Sequence, residues 1–190
     1  TSAERFVMRP NLSYPIAAPW GFFKPKATLA FNQYNLNNPQ YWAATQNTSS
    51  CTSTSAGTTC QTLANSNTSQ NFAIPILSMD TGTYFERETS FGDKPYLSTI
   101  EPRLFYVYIP YVNQSSIPVF DSTSYDTTYY QLFRENWYTG YDRVSNANDV
   151  TAAVTTKFID SSNGLERFRA TVGNRAYFSG QQVTLGGTPT

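Results

Sequence analysis

Charged side chains that could act together are concentrated in the second half of the chain. Glu101 and Arg103 stand two positions apart in an apolar–polar alternation, so they point to the same side of a strand. We expect an internal ion-pair network from Glu101, Arg103, Arg134, Asp142, Arg143, Arg167 and Arg169. Such a network would hold a long loop in place; alternatively, its arginines would bind phosphate through bidentate hydrogen bonds. We favour the structural role.

Residues that carry enzyme chemistry are scarce. The chain contains no histidine, which removes the commonest general base and excludes a Ser-His-Asp triad within it. Two carboxylate pairs, Glu86 with Glu88 and Asp121 with Asp126, lack any sign of the cleft that a glycosidase needs. We therefore predict that the protein is not an enzyme and has no catalytic residues, no cofactor and no metal site.

The two cysteines, Cys51 and Cys60, lie in a segment rich in Ser, Thr and Asn. Two cysteines alone cannot complete a tetrahedral zinc site. We predict a local disulfide between them, which implies an oxidising compartment. The alternative is two unpaired thiols in a solvated loop, and neither interpretation indicates catalysis.

The elements that must position these residues are long β-strands. Apolar and polar residues alternate with a period of two in six segments, namely 4–16, 21–34, 72–87, 96–109, 149–159 and 165–178. Short connections alternate with two long loops, 36–71 and 110–148. This arrangement is typical of outer-membrane β-barrels, which have tight turns on one side and long loops on the other. The segments are also long enough to cross a bilayer, for which about 9–11 residues suffice.

Four prolines interrupt this alternation: Pro10, Pro25, Pro75 and Pro102. Because proline cannot donate to a strand ladder, we expect either lost hydrogen bonds or bulges there. The predicted fold class is all-β: an antiparallel transmembrane β-barrel segment of about six long strands with long extracellular loops, part of a larger barrel. A soluble sheet with one wet face shows the same alternation, but strand length and loop alternation favour the barrel.

Composition narrows the class further. Lys and Arg together number 13, as do Asp and Glu, and this zero net charge argues against a nucleic-acid partner. The sequence contains no run of 18 apolar residues, so it does not predict a transmembrane helix. The chain begins with Thr rather than Met and shows no signal peptide, so we expect a fragment or a processed piece. Its 16% aromatic residues suit a barrel but leave two alternatives, another porin or channel barrel and a soluble carbohydrate-binding β-sandwich.

Short motifs follow one another through the second half of the chain. They are FER at 85–87, EPR at 101–103, PY at 110–111, QS at 114–115, IP at 117–118, FD at 120–121, LFR at 132–134, GYDR at 140–143 and ERFR at 166–169. In this order they resemble the lipopolysaccharide-assembly proteins of the Gram-negative outer membrane, the LptD family. The chain departs from the family pattern at Ser116 and at 137–139, where it reads WYT.

The resemblance implies a middle section of a large barrel, preceded by a periplasmic jellyroll outside this chain. It implies a component of the translocon that inserts lipopolysaccharide into the outer leaflet of the outer membrane. Implied partners are lipopolysaccharide, outer-membrane lipid, an LptE-like plug lipoprotein and, through the missing jellyroll, the periplasmic bridge proteins. The residues that resemble the plug-contacting loop are Pro110, Tyr111, Asn113, Gln114, Ser115, Ile117, Pro118, Phe120 and Asp121. Six strands cannot close a barrel of this class, so we expect two open sheet edges.

Overall fold

Strands make up almost all of the regular structure. The computed structural model describes residues 3–37, 69–115, 117, 119–126 and 128–185, and the backbone alone of 49–54 and 57–62. The strands are β1 Ala3–Met8, β2 Asn11–Ser13, β3 Ile16–Ala18, β4 Gly21–Leu36, β5 Ser49–Thr54, β6 Gly57–Thr62, β7 Ser69–Thr83, β8 Phe85–Phe91, β9 Lys94–Ile109, β10 Ala147–Asp160 and β11 Glu166–Tyr177. A 3-10 helix spans Tyr129–Phe133. The predicted all-β antiparallel fold class is confirmed.

Nine of the strands form one sheet. Its path runs β1–β4–β7–β9–β10–β11, while β2 and β3 also pair with β4, and β8 pairs with β9. Since β1 to β3 follow one another along β4, and β7 and β8 follow one another along β9, the sheet has six strand positions, where the alternation predicted six strands. The sheet is open, with β1 and β11 at the ends of this path.

The long connection between β4 and β7 differs from the expected loop. Its backbone contains the antiparallel hairpin β5–β6, which forms a small sheet of its own. Threonine recurs in both strands, and a β-branched residue favours extended backbone. The Ser, Thr and Asn content that predicted a solvated loop is therefore compatible with a short hairpin.

The strand prolines act as local breaks rather than bulges. Strand β1 ends before Pro10 and β2 before Pro15, yet all three short strands pair with β4 in one continuous register. Pro25, Pro75 and Pro102 lie inside β4, β7 and β9, again without a shift of register. A proline removes one N–H from the ladder but leaves its carbonyl, so the pairing loses single hydrogen bonds and keeps its register.

The sheet has two unlike faces. One, which we call the outer face, exposes the apolar side chains Phe6, Met8, Leu12, Phe23, Leu29, Leu77, Ile100, Leu104, Tyr108, Val154, Phe168 and Val172. Leu12 is 78% exposed and Val172 is 73% exposed, and apolar surface of this extent is rare on soluble monomers. Within the part of the chain that the structure describes, no helix has both the length and the apolar character needed to cross a membrane.

The opposite face, the inner face, carries the hydrophobic core at one end only. The short turns 19–20, 92–93 and 161–165 lie at one end of the sheet, and the long connections lie at the other. The buried apolar side chains cluster at the long-connection end: Ala30, Tyr34, Leu36, Phe72, Ile74, Ile76, Phe105, Val107, Ile109, Ile117, Val144 and Ala147. Two of them, Ile117 and Val144, belong to the connection between β9 and β10, so this connection folds back over the inner face.

Candidate functional site

The connection between β9 and β10, residues 110–146, forms a second layer over half of the inner face; we call it the inner cover. Its first arm, which includes Gln114 and Ile117, is tied by buried side chains to its second arm, which includes Arg143 and Val144. The amide of Gln114 bonds both backbone groups of Val144, donating to the carbonyl at 2.8 Å and accepting from the N–H at 3.0 Å. Arg143, 2% exposed, donates to the carbonyl of Ile117 at 2.6 Å. These side chains supplement a short stretch of backbone pairing between the arms, the bridge of Ser124 with Tyr138.

A buried carboxylate fastens the inner cover to the sheet. Asp142 is fully buried. Its Oδ1 accepts from Arg5 Nη1 on β1 at 2.6 Å and from the Tyr34 hydroxyl on β4 at 2.8 Å. Its Oδ2 accepts from the backbone N–H groups of Phe120 at 2.6 Å and Asp121 at 2.7 Å. One side chain therefore joins both arms of the cover to two strands, and we call this group of residues the Asp142 clamp.

Neighbouring residues complete the clamp. Asn32 on β4 donates to the Tyr34 hydroxyl at 3.0 Å and also to the carbonyl of Tyr141. Arg5 also forms an ion pair with Asp121 at 2.9 Å. The Asp121 carboxylate in turn accepts from the Tyr141 N–H at 3.0 Å. Since a buried carboxylate is tolerated only when it is paired and hydrogen-bonded, the clamp specifies one position of the cover.

The surroundings of Asp121 lower the pKa of its carboxyl. Partial burial, the largest single effect, raises the pKa of this carboxyl, whereas the hydrogen bond from Tyr141 N–H and the contact with Arg5 lower it, and the net result is a lowered pKa. Burial raises the pKa of the Tyr138 hydroxyl and lowers the pKa of the Arg143 guanidinium. The ionised form of Asp121 is therefore the one that the folded cover stabilises.

The middle of the inner cover rests on mid-strand ion pairs. Arg103 on β9 donates to both oxygens of Asp80 on β7, at 2.8 and 2.7 Å, and its guanidinium lies 3.9 Å from the ring centre of Phe133. Glu135 pairs with Lys26 on β4 at 3.1 Å and accepts from the Ser78 hydroxyl. The two contacts place the last residue of the 3-10 helix and the segment that follows it over the centre of the sheet.

A second buried ion pair lies under the far side of the cover. Arg175 on β11 and Asp149 on β10 are 2% and 3% exposed and are joined at 2.9 Å. Arg175 also donates to the carbonyls of Leu132 and Arg134, each at 3.2 Å. The 3-10 helix end is thereby fixed to the edge strand, and Thr151 adds a hydrogen bond to the Leu132 carbonyl at 2.6 Å.

The residues of the predicted network occupy separate positions. Asp142 belongs to the clamp, while Arg143 ties the two arms together and Arg103 pairs with Asp80. Arg134 lies over the Tyr125 ring at 4.2 Å. Nearer the short turns, the remaining pairs are Glu101 with Lys157, Arg167 with Asp160 and Arg169 with Glu166. Glu101, Arg103 and Arg167 pair across neighbouring strands, and Arg169 pairs within its own strand, so among the described residues these charges do not form one continuous network.

The residues predicted to contact a plug fall into two groups. Gln114 and Ile117 are buried, at 3% and 2% exposure, and support the cover from within. Tyr111 and Phe120 are 50% and 42% exposed. Pro110, Asn113, Ser115 and Asp121 are partly or fully exposed, and Pro118 lies outside the described residues.

Several important residues were missed in the sequence. Arg5, Asp80, Asp149 and Arg175 are charged residues on the polar side of their strands, which was the available signal. Their partners lie 23 to 137 positions away in sequence, and alternation says nothing about such partners. The backbone of the β5–β6 hairpin pairs Cys51 opposite Cys60, and the disulfide stays a prediction.

Comparison with known proteins decides the family. The model of the family described as LPS transport system D, LptD, matches residues 1–190. The chain belongs to this family. It is 42% identical to the LPS-assembly protein LptD of Ralstonia nicotianae and 40% identical to that of Aromatoleum aromaticum, covering 97% and 98% of this chain. The LptD of Chromobacterium violaceum is 42% identical over 93% of the chain. The chain spans about a fifth of the length of these relatives (21%, 21% and 20%).

Three of the motifs that resemble the LptD family lie where the inner cover contacts the sheet or its own other arm. The GYDR motif supplies Gly140, which has a positive φ of 64° and packs against Asp121, and it supplies the clamp residue Asp142. The EPR motif supplies Arg103, and the LFR motif supplies Phe133, which stacks on it. In this LptD-family chain the GYDR, EPR and LFR motifs therefore supply contacts that hold the cover in place.

Proposed function

We propose that this chain is a wall segment of an outer-membrane β-barrel that delivers lipopolysaccharide to the outer leaflet. The observation that carries the proposal is the contrast between the two faces of the sheet. The outer face is apolar and exposed, as lipid contact requires, whereas the inner face carries ion pairs and a folded cover. Family membership supports lipopolysaccharide as the cargo, and further strands of the full-length protein would pair with β1 and β11.

The inner cover has a specific task in this proposal. It covers the long-connection half of the inner face, while the exposed Lys24 and the partly exposed pair of Glu101 with Lys157 lie on the short-turn half. A cover that is anchored at Asp142, Arg103 and Arg175 blocks free diffusion through that half of the barrel. Lipopolysaccharide would then follow the uncovered polar wall rather than an open pore.

The exposed residues of the cover form the surface that we propose for a plug lipoprotein. Tyr111 and Phe120 are exposed aromatic side chains held on a buried scaffold, which is the composition of a protein–protein hot spot. Gln114 and Ile117 contribute through the scaffold, because they are buried within this chain. Exposed and buried residues of the loop are therefore expected to respond differently to substitution.

The experiment is extraction of the full-length protein in mild detergent, followed by mass spectrometry of what stays bound. We expect a stoichiometric small lipoprotein, lost on Tyr111→Ala with Phe120→Ala and retained on Tyr130→Ala, since Tyr130 is 80% exposed but lies on the 3-10 helix. Extraction with no lipoprotein would favour a simple barrel channel. Solubility without detergent would contradict both membrane functions.

A further inference from the structure

A small cavity lies where the inner cover meets the edge strand, and neither the barrel wall nor the plug surface uses it. Its volume is about 290 Å³, and it is lined by Ser124, Trp137, Tyr138, Asn146, Asp149, Tyr177, Ser179 and Gln181. We call it the aromatic slot. A cavity of this volume is at the lower end of small-ligand sites and fits a single ring.

The walls of the slot are aromatic and held rigidly. The rings of Trp137 and Tyr177 lie 6.0 Å apart with an angle of 36° between their planes. The buried guanidinium of Arg175 supports both, at 4.9 Å from the Trp137 ring and 5.9 Å from the Tyr177 ring. The Tyr138 hydroxyl is anchored to the carbonyl of Val183. A ligand would therefore meet preformed rings and would not have to order them.

One polar group in the slot, the carboxylate of Asp149, can accept a further hydrogen bond. Both hydrogen bonds from Arg175 go to Oδ2 of Asp149, at 3.2 and 2.9 Å. Among the described residues, Oδ1 receives only the N–H of Asn148, at 3.3 Å. The Asp149 side chain is 3% exposed, so this carboxylate oxygen is a buried acceptor at the cavity wall.

These groups together select the class of ligand. A phosphate would meet the charge of Asp149, and Arg175 already makes four hydrogen bonds within the chain. An acyl chain would cover the Oδ1 oxygen and leave it only the long hydrogen bond from the Asn148 N–H, which is costly for a buried carboxylate. A sugar ring offers hydroxyl donors to the carboxylate and C–H edges of positive polarity to the negative faces of the aromatic rings. We propose that the aromatic slot binds one sugar ring of the glycan of lipopolysaccharide, an inference that rests on the proposed function.

The test is photo-crosslinking in cells with the full-length protein. Benzoylphenylalanine replaces Trp137 or Tyr177 in the slot, Lys24 on the uncovered inner face, or Leu12 on the outer face. We expect the slot positions to crosslink lipopolysaccharide with a complete glycan. The yield should fall about tenfold when the glycan is truncated to the sugars next to the lipid, because the stacking contact is lost. The Lys24 position should crosslink both forms equally.

The outcomes separate the two proposals. The sugar site is overturned, and the transport function is left intact, by either of two results. One is crosslinking at Lys24 but not in the slot; the other is a crosslinking yield in the slot that does not change when the glycan is truncated. No crosslinking at Lys24 or in the slot overturns both. As a matched pair, Trp137→Phe should preserve crosslinking from the Tyr177 position, while Trp137→Ala should reduce it about tenfold. Equal yields from the two variants would also refute the stacking role.

Discussion

Replacement of Asp142 by Asn tests whether the clamp holds the inner cover. The two side chains have the same shape, but an amide has one oxygen where the carboxylate has two. In one orientation, the amide oxygen of the Asn side chain accepts from the N–H groups of Phe120 and Asp121. The NH2 group then faces Arg5 Nη1 and the Tyr34 hydroxyl, two donors that bond to the carboxylate of Asp142 at 2.6 and 2.8 Å in the native protein. The opposite orientation places the NH2 against the two backbone donors instead. Either way, two hydrogen bonds to a buried charge are lost.

The expected cost follows from that count. Hydrogen bonds to charged groups contribute about 1.5–3 kcal/mol each, so the free energy of opening the cover should fall by about 3–6 kcal/mol. Amide exchange in the segment 119–126 of the full-length protein should accelerate about 10²- to 10⁴-fold, since each 1.4 kcal/mol is tenfold. Hydrogen-exchange mass spectrometry in detergent measures this directly. Strands β9 and β10 serve as the internal reference.

Asp121→Asn is the matched control for this experiment. The Asp121 side chain is 35% exposed and its ion pair with Arg5 is solvated, so its loss should cost at most about 1 kcal/mol and accelerate exchange less than tenfold. Exchange in Asp142→Asn that rises less than about tenfold, or that equals the control, would refute the reasoning that Asp142 anchors the cover.

Three further predictions concern the loops. Gly140→Ala should destabilise the cover far more than Gly164→Ala destabilises its turn. Both glycines have a positive φ, but a methyl group at 140 would overlap Asp121, whereas one at 164 would meet open space. The exchange rates of the amides near each glycine measure the difference. Alkylation of the unreduced, unfolded protein should leave Cys51 and Cys60 unmodified, and modification of either thiol would contradict the disulfide. Because the pKa of Asp121 is lowered from 3.8, its stabilising charge is complete above about pH 4 and is lost as the pH falls through the lowered value. Exchange of the cover, corrected for intrinsic rates, should therefore be constant from pH 7 to about pH 5 and accelerate only in stronger acid.

The strand positions and the side each strand residue faces could be predicted from the sequence. Period-two alternation determines the face, and Glu101 and Arg103 lie on the same, inner face as predicted. The alternation fails in β7, where Phe72, Ile74 and Ile76 are buried on the inner face although their neighbours on the outer face are also apolar. Residues covered on both sides show no period, and the inner cover that causes this is not visible in a strand pattern.

The partners inside the candidate site could not be predicted. The GYDR motif drew attention to Asp142, but its contact with Arg5 joins residues 137 positions apart. Local pattern gives no information at that separation, because the contact depends on the path of the whole cover. The expected network grouped charged residues by their order in the second half of the chain, whereas Glu101 in the structure pairs with Lys157 on the neighbouring strand.

The way in which the cover is held bears on how it would bind a partner. Its arms are joined by the buried side chains Gln114 and Arg143, and it is anchored to the sheet through Asp142. A loop with its polar groups satisfied inside its own chain does not need a partner to become ordered. A plug lipoprotein that binds the exposed rings of Tyr111 and Phe120 would therefore meet a preorganised surface, and little of its binding free energy would be spent on ordering the loop. Loss of the lipoprotein should then leave the cover folded, whereas loss of the Asp142 charge should weaken both the cover and the binding surface that it presents.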